Sequence, residues 1–244
     1  STGHFSDYWA EMTEAMGVSV VRTPYREGFP IDPEHVEQAL VADKAHAIKA
    51  VYVVHTDTAS SVTSDVPAIR QAMDRSGHPA LLVVDVVATL GAAPFEMDQW
   101  GVNVVMGASQ KGLMCPPGMA FCAADERAIA QARSTAGLSP RYYWDWIRRL
   151  NAAAYLKFCG TPPQNMLMAL RAALQLFERE GHDNVLARHR QLASAVQAAV
   201  SVWSAAGVLD FVCQVPAARS VSVTALPSKA LNPTRFVAWF VTRT

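Results

Sequence analysis

The first half of the chain alternates between two hydrophobic patterns. Short continuous apolar runs occur at Ile48–Val54, Ala80–Val84, Val102–Met106 and Met119–Ala123, with a shorter one at Val18–Val21. Between them lie stretches of helical periodicity: Asp7–Met16 closed by Gly17, Asp32-Pro33-Glu34 opening a helix to about Ala42, Ser64–Arg75 ending at Gly77, and Ala124–Thr135. An acid before the first turn, proline inside it and glycine after the last turn are the expected helix boundaries. Continuous apolar strands alternating with helices predict an α/β fold with a buried, mostly parallel sheet covered by helices.

Beyond about residue 124 strands become sparse. Tyr142–Leu156 reads as a helix. Thr161-Pro162 is expected to cap a long helix to Gly181, and Asp183 another to about Ser204. Two β runs follow, Leu209–Cys213 and Ser220–Ala225, and Asn232-Pro233 is expected to open a short final helix. These signals divide the chain into a large domain over 1–140, connecting helices over 141–180 and the start of a small α+β C-terminal domain over 181–244.

Composition supports a packed core: 51% of the 244 residues are hydrophobic and 17% charged, which excludes a disordered chain. Basic and acidic residues balance at 21 each, so nothing indicates a polyanion-binding protein. No apolar run reaches the length of a membrane span, so no membrane partner is expected. The four cysteines have neither metal-site nor disulfide-framework spacing, which suits a reducing cytoplasm.

In parallel α/β sheets ligands bind at the carboxyl ends of strands. Three of the apolar runs end in chemistry-bearing residues: His55-Thr56-Asp57-Thr58, Asp85, and Gly107-Ala108-Ser109-Gln110-Lys111. Asp85 sits inside an apolar run, where a carboxylate is costly unless donors or a cation satisfy it. It is either a structural cap for nearby backbone N–H groups or a carboxylate held for a cationic ligand atom. A lone lysine is ordinarily solvated. Lys111, however, lies in a loop stiffened by glycine and by Pro116-Pro117-Gly118, and a lysine of lowered pKa can condense with a carbonyl. An acid opposite such a lysine suggests pyridoxal phosphate, with the acid keeping the pyridine nitrogen protonated.

The segments Val83-Val84-Asp85-Val86-Val87-Ala88-Thr89-Leu90-Gly91, Trp100-Gly101-Val102, Gly107 to Gly112 and Pro116-Pro117-Gly118 resemble the class V aminotransferases, and most of all the alanine–glyoxylate and serine–glyoxylate group. Gly3-His4-Phe5 with Trp9, the His55–Thr58 loop, Gly77-His78-Pro79-Ala80, Thr161-Pro162 with Asn165, and Glu180-Gly181 with Ala187-Arg188-His189 extend the resemblance over nearly the whole chain.

The resemblance implies a fold-type I pyridoxal-phosphate transferase. Its large domain would lack an N-terminal segment carrying a phosphate-binding turn. Its small domain would stop before the arginine that clamps the substrate carboxylate. It implies Lys111 as the Schiff-base lysine and proton shuttle, Asp85 on the pyridine nitrogen, Val87 against the ring, Thr58 on the ring 3′ oxygen and Gln110 on the phosphate. Thr161 would reach the phosphate of a neighbouring subunit in a homodimer. The reaction implied is amino transfer from serine or alanine to glyoxylate or a related 2-oxo acid. Other readings are a non-catalytic member that keeps the fold, or a relative acting as an aminophosphonate transaminase or a lyase. A nucleotide-binding α/β protein would need a glycine-rich phosphate loop, and none is present. Valine is also an ordinary core residue, Thr161 an ordinary helix cap, Thr58 an ordinary turn residue and Gln110 an ordinary loop amide.

Three positions depart from the family pattern. Ser61 replaces a glycine, which predicts a strained turn; Asn103 replaces an aspartate; Val86 replaces a smaller residue. All three are expected to bear on efficiency.

Overall fold

The computed structural model describes residues 1–135, 142–227 and 237–241. The chain runs α1 (His4–Ala15), α2 (Pro33–Ala42), β1 (Ala50–Val54), β2 (Thr56–Asp57), β3 (Val62–Thr63), α3 (Val66–Ser76), β4 (Leu81–Asp85), β5 (Val104–Ala108), β6 (Ala120–Ala124), α4 (Glu126–Ser134), α5 (Trp146–Asn151), α6 (Gln164–Glu180), α7 (His182–Ala205), β7 (Val223–Pro227) and β8 (Val237–Val241). The main sheet has the order β1-β4-β5-β6, parallel except for β6. The α/β architecture with a mostly parallel sheet is therefore as the alternation of runs predicts.

The core explains the order of elements. Val36 and Leu40 of α2, and Ile69 and Met73 of α3, pack with Val53 of β1 and with Leu82 and Val84 of β4. Ile69, Met73 and Leu82 are fully enclosed. Each such side chain contributes roughly 1.5–3 kcal/mol on transfer from water. Local chemistry sets the helix ends. Asp32 accepts from the Glu34 N–H at 2.9 Å, and Asp65 from Ala68 N–H at 2.9 Å. Gly77, at φ 65°, closes α3 in the left-handed region that favours glycine.

Several boundaries differ from the sequence expectation, each for a physical reason. Helix α1 starts at His4 rather than Asp7, because Asp57, 51 positions away, accepts the N–H of Ser6 at 3.0 Å. Val18–Val21 is not a strand: Val18 and Val21 are exposed, and a β run without a paired neighbour has no ladder to join. The expected helix over Tyr142–Leu156 is broken, because the Asp145 carboxylate accepts from Arg148 N–H at 3.0 Å and starts a new, short helix. Helix α6 begins at Gln164 with Pro163 at its cap, so Thr161 is not the capping residue; Asp183 lies inside the first turn of α7, whose cap is Gly181. Leu209–Cys213 does not form a strand, since its ladder is divided: Val212 N–H bonds Ala225 and the next free donor, on Gln214, bonds Gly28. The expected Asn232-Pro233 helix start lies outside the described residues, and 237–241 form a strand antiparallel to β7.

The C-terminal elements are tied back to the sheet end. Ser220 N–H donates to the Ser61 carbonyl at 3.0 Å, and Gln214 N–H to Gly28 at 2.9 Å. Among the described residues no helix is long and apolar enough to cross a membrane.

Candidate active site

Parallel pairing brings three strand ends into line. Val54 of β1, Asp85 of β4 and Met106 of β5 are register partners, so the segments that follow them emerge side by side. His55 N–H donates to the Asp85 carbonyl at 2.9 Å, and Val86 N–H to Met106 at 2.8 Å. Asp85 is thus fixed at the centre of the sheet's carboxyl edge.

Its carboxylate Oδ1 accepts from Val87 N–H at 2.7 Å. Among the described residues no lysine or arginine pairs with it. Burial pushes its pKa up, the Val87 bond opposes that, and the negative charge of Asp57 raises it further. A partly buried carboxylate with one backbone donor and no counter-ion is suited to a cationic ligand atom.

Glycine brings the Lys111 loop to Asp85. A Cβ on Gly112 would overlap the Leu90 carbonyl oxygen and lie 3.1 Å from the Gly91 carbonyl carbon; a Cβ on Gly107 would lie 2.9 Å from Leu90 Cδ2. The 86–91 turn after Asp85 and the loop carrying Lys111 therefore touch backbone to backbone. Ser109, fully enclosed, holds that loop closed: its Oγ donates to Pro116 O at 2.7 Å, its N–H to Met119 O at 3.1 Å, and its carbonyl accepts from Cys115 N–H at 3.0 Å. Lys111 itself is exposed, and among the described residues it enters no ion pair.

The loop after β1 forms the third wall. Thr56 Oγ1 bonds Thr63 Oγ1 at 3.0 Å and accepts from Thr89 Oγ1 at 3.2 Å, tying this loop to the turn after Asp85. Thr58 is half-buried at its head. Ser61 takes φ 55°, the strained conformation expected where a glycine was replaced. His55 is buried between Phe95 and Trp100, with ring centroids 5.7 Å away in both cases; burial lowers its pKa to about 4.

Of the six candidates, the structure gathers Asp85, Val87, Thr58, Gln110 and Lys111 on segments that touch one another. Val87 contributes its backbone N–H to Asp85, and Gln110 is exposed beside Lys111. Thr161 lies in the exposed bend before α6 and shares no hydrogen bond with the other five. A separate cleft of about 330 Å³ lies across the outer edge of β1, towards residues 18–24, and contains none of the six. Asp57 and the Thr56–Thr89 hydroxyl pair brace this edge; the sequence reading placed them in the strand-end and family segments but gave them no role.

The class-V aminotransferase family model matches residues 1–239. The chain belongs to the class-V aminotransferases. It is 40% identical over 229 residues to a serine–glyoxylate aminotransferase of Methylorubrum extorquens, covering 92% of this chain and 56% of that protein. It is 41% identical over 203 residues to an L-aspartate–glyoxylate aminotransferase of Paracoccus denitrificans, covering 82% and 50%. Among solved structures, the ureidoglycine–glyoxylate aminotransferase of Bacillus subtilis superposes with a TM-score of 0.81 at 26% identity, over 94% of this chain and 57% of that one. The chain thus spans about half the length of the curated relatives it matches.

Proposed function

We propose that the protein to which this chain belongs is a pyridoxal-phosphate-dependent aminotransferase moving an amino group from a small amino acid, serine or alanine, to glyoxylate. The observation that carries this is the placement of Asp85, without a counter-ion, on a turn that touches the Lys111 loop backbone to backbone. Glyoxylate is the acceptor common to the names of the three relatives.

The residues present fit the cofactor. Asp85 supplies an unpaired, partly buried carboxylate for the ring nitrogen. Lys111 supplies an amine on a braced loop. Thr58 supplies a hydroxyl on the neighbouring wall, and Val87 and Gln110 flank the acid and the lysine. When bound, pyridoxal phosphate supplies an electron sink for the carbanion formed at the amino acid Cα.

The rest is the work of the chain's own groups. Asp85 holds the ring nitrogen in its protonated form by charge and hydrogen bond. Val87 N–H fixes Oδ1, which fixes the plane of the carboxylate. Lys111 Nζ would hold the cofactor and, as a base on the braced loop, would move the proton from and to the amino acid Cα. The Ser109 bonds limit how far the loop, and hence Nζ, can drift; an error of about 1 Å costs such a step on the order of a hundredfold.

We assign residues 1–140 to the cofactor-binding domain, 141–180 to connecting helices and 181–244 to the start of a small domain. Thr161 is assigned to the phosphate bound by the partner subunit of a homodimer, in keeping with its exposure and its separation from the other five. A cytoplasmic location fits the four free cysteines.

The test is a half-reaction. Protein loaded with pyridoxal phosphate is mixed with L-serine, L-alanine or L-aspartate, and the 2-oxo acid formed is measured. Hydroxypyruvate or pyruvate, with regeneration by glyoxylate, supports the reading. A loaded protein that yields no 2-oxo acid from any donor favours the non-catalytic member.

A further inference from the structure

Asp57 has a position that the assignment above does not use. It is fully enclosed. Its Oδ2 accepts from Ser6 N–H at 3.0 Å and its Oδ1 from Ala59 N–H at 3.0 Å. It leaves so little room that a Cβ on Gly3 would lie 2.7 Å from Oδ1. One carboxylate therefore joins the first turn of α1 to the turn that carries Thr58. Among the described residues no lysine or arginine pairs with it. The Asp85 carboxylate feels its charge. Two carboxylates so placed at one strand edge, neither neutralised by a side chain among the described residues, make that edge negative.

We propose that Asp57 is a positioning residue of the active site: it clamps the Thr58 turn to α1 and adds a second negative charge near Asp85, so that a cationic ring nitrogen bound by Asp85 lies in a more negative field. This rests on the reading of Asp85 as the ring-nitrogen partner. The clamp acts through the two N–H bonds. The charge acts through space on the partly buried Asp85 carboxyl.

Asp57→Asn keeps one acceptor oxygen and the side-chain shape while removing the charge. The expected result is pyridoxal phosphate binding roughly tenfold weaker, measured by absorbance titration. The pH at which the bound cofactor changes colour should also move down. In the cofactor-free protein, the Asp85 carboxyl, followed by ¹³C NMR, should titrate at lower pH than in wild type. Unchanged affinity together with an unchanged Asp85 titration overturns the proposal. Because the Asp85 titration needs no cofactor, it decides the point even if wild type fails to bind pyridoxal phosphate, an outcome that sinks the functional reading separately. Should Asp57→Asn not fold, Asp57→Glu decides: it keeps the charge but displaces the two N–H bonds, so weaker cofactor binding supports the clamp and unchanged binding overturns it.

Discussion

Gly112 faces the carbonyl oxygen of Leu90 with no space for a side chain between them, and this contact sets the Lys111 loop against the turn that leaves Asp85. Gly112→Ala must push the two loops apart. Overpacking of this kind costs about 1–3 kcal/mol, or some 2–4 °C in Tm for each kcal/mol in a chain of this size. Cofactor attachment should fall at least as sharply as stability, because the displaced residue adjoins Lys111. A melting curve and an absorbance titration on the same sample check this; an alanine variant with unchanged cofactor affinity would show that the contact does not position the lysine.

Asp85 carries a cost in the absence of ligand. Its pKa is raised by burial and by Asp57, so the folded chain holds this proton more tightly than the unfolded chain does. Stability from this group is present at low pH and declines as pH rises from the ordinary carboxylate range through the raised folded value. Asp85→Asn should therefore raise the Tm of the cofactor-free protein at neutral pH while weakening pyridoxal phosphate binding by more than tenfold. A variant that is less stable at pH 7 would identify Asp85 as a structural cap.

His55 predicts the opposite slope. Its folded pKa of about 4 lies below the ordinary value of 6.5, so the unfolded chain binds the extra proton first as pH falls. Stability is full above pH 6.5 and is lost between there and pH 4, by on the order of 3 kcal/mol in total. Urea denaturation of wild type and His55→Phe across pH 4–7 measures it. The wild-type curve should fall with acid, and the phenylalanine variant should lose much of that dependence.

Asn103 is matched to its neighbours. Its Oδ1 accepts from Leu82 N–H at 2.7 Å, and its Nδ2 donates to Asp125 Oδ2 at 2.7 Å; Asp125 in turn caps α4 through Ala128 N–H. Restoring the aspartate more usual in the family would set two carboxylates against each other. Asn103→Asp should cost about 1–3 kcal/mol at neutral pH and less at pH 4, by urea denaturation. A neutral substitution would mean that Asp125 is free to turn away.

What was legible in the sequence follows from where each cause resides. The β1, β4 and β5 runs, and the α2 and α3 boundaries, rest on periodicity and on caps within three residues, so they could be read locally. Asp85 and Lys111 were legible because an acid at the end of an apolar strand and a lysine in a glycine–proline loop are unusual. The start of α1 was not, since Asp57, which accepts the Ser6 N–H of its first turn, comes from 51 positions away. Val18–Val21 had strand composition but no partner. The strain at Ser61 was anticipated from the lost glycine, whereas its bond to Ser220 depends on long-range docking that no local pattern records.

The central claim is that Lys111 is the residue on which the cofactor is carried. Protein incubated with pyridoxal phosphate, reduced with borohydride and digested should yield a single pyridoxyl-bearing peptide, labelled at Lys111 and absent from Lys111→Ala. No label under saturating cofactor, or a label distributed among other lysines such as Lys44, Lys49 and Lys157, would contradict it.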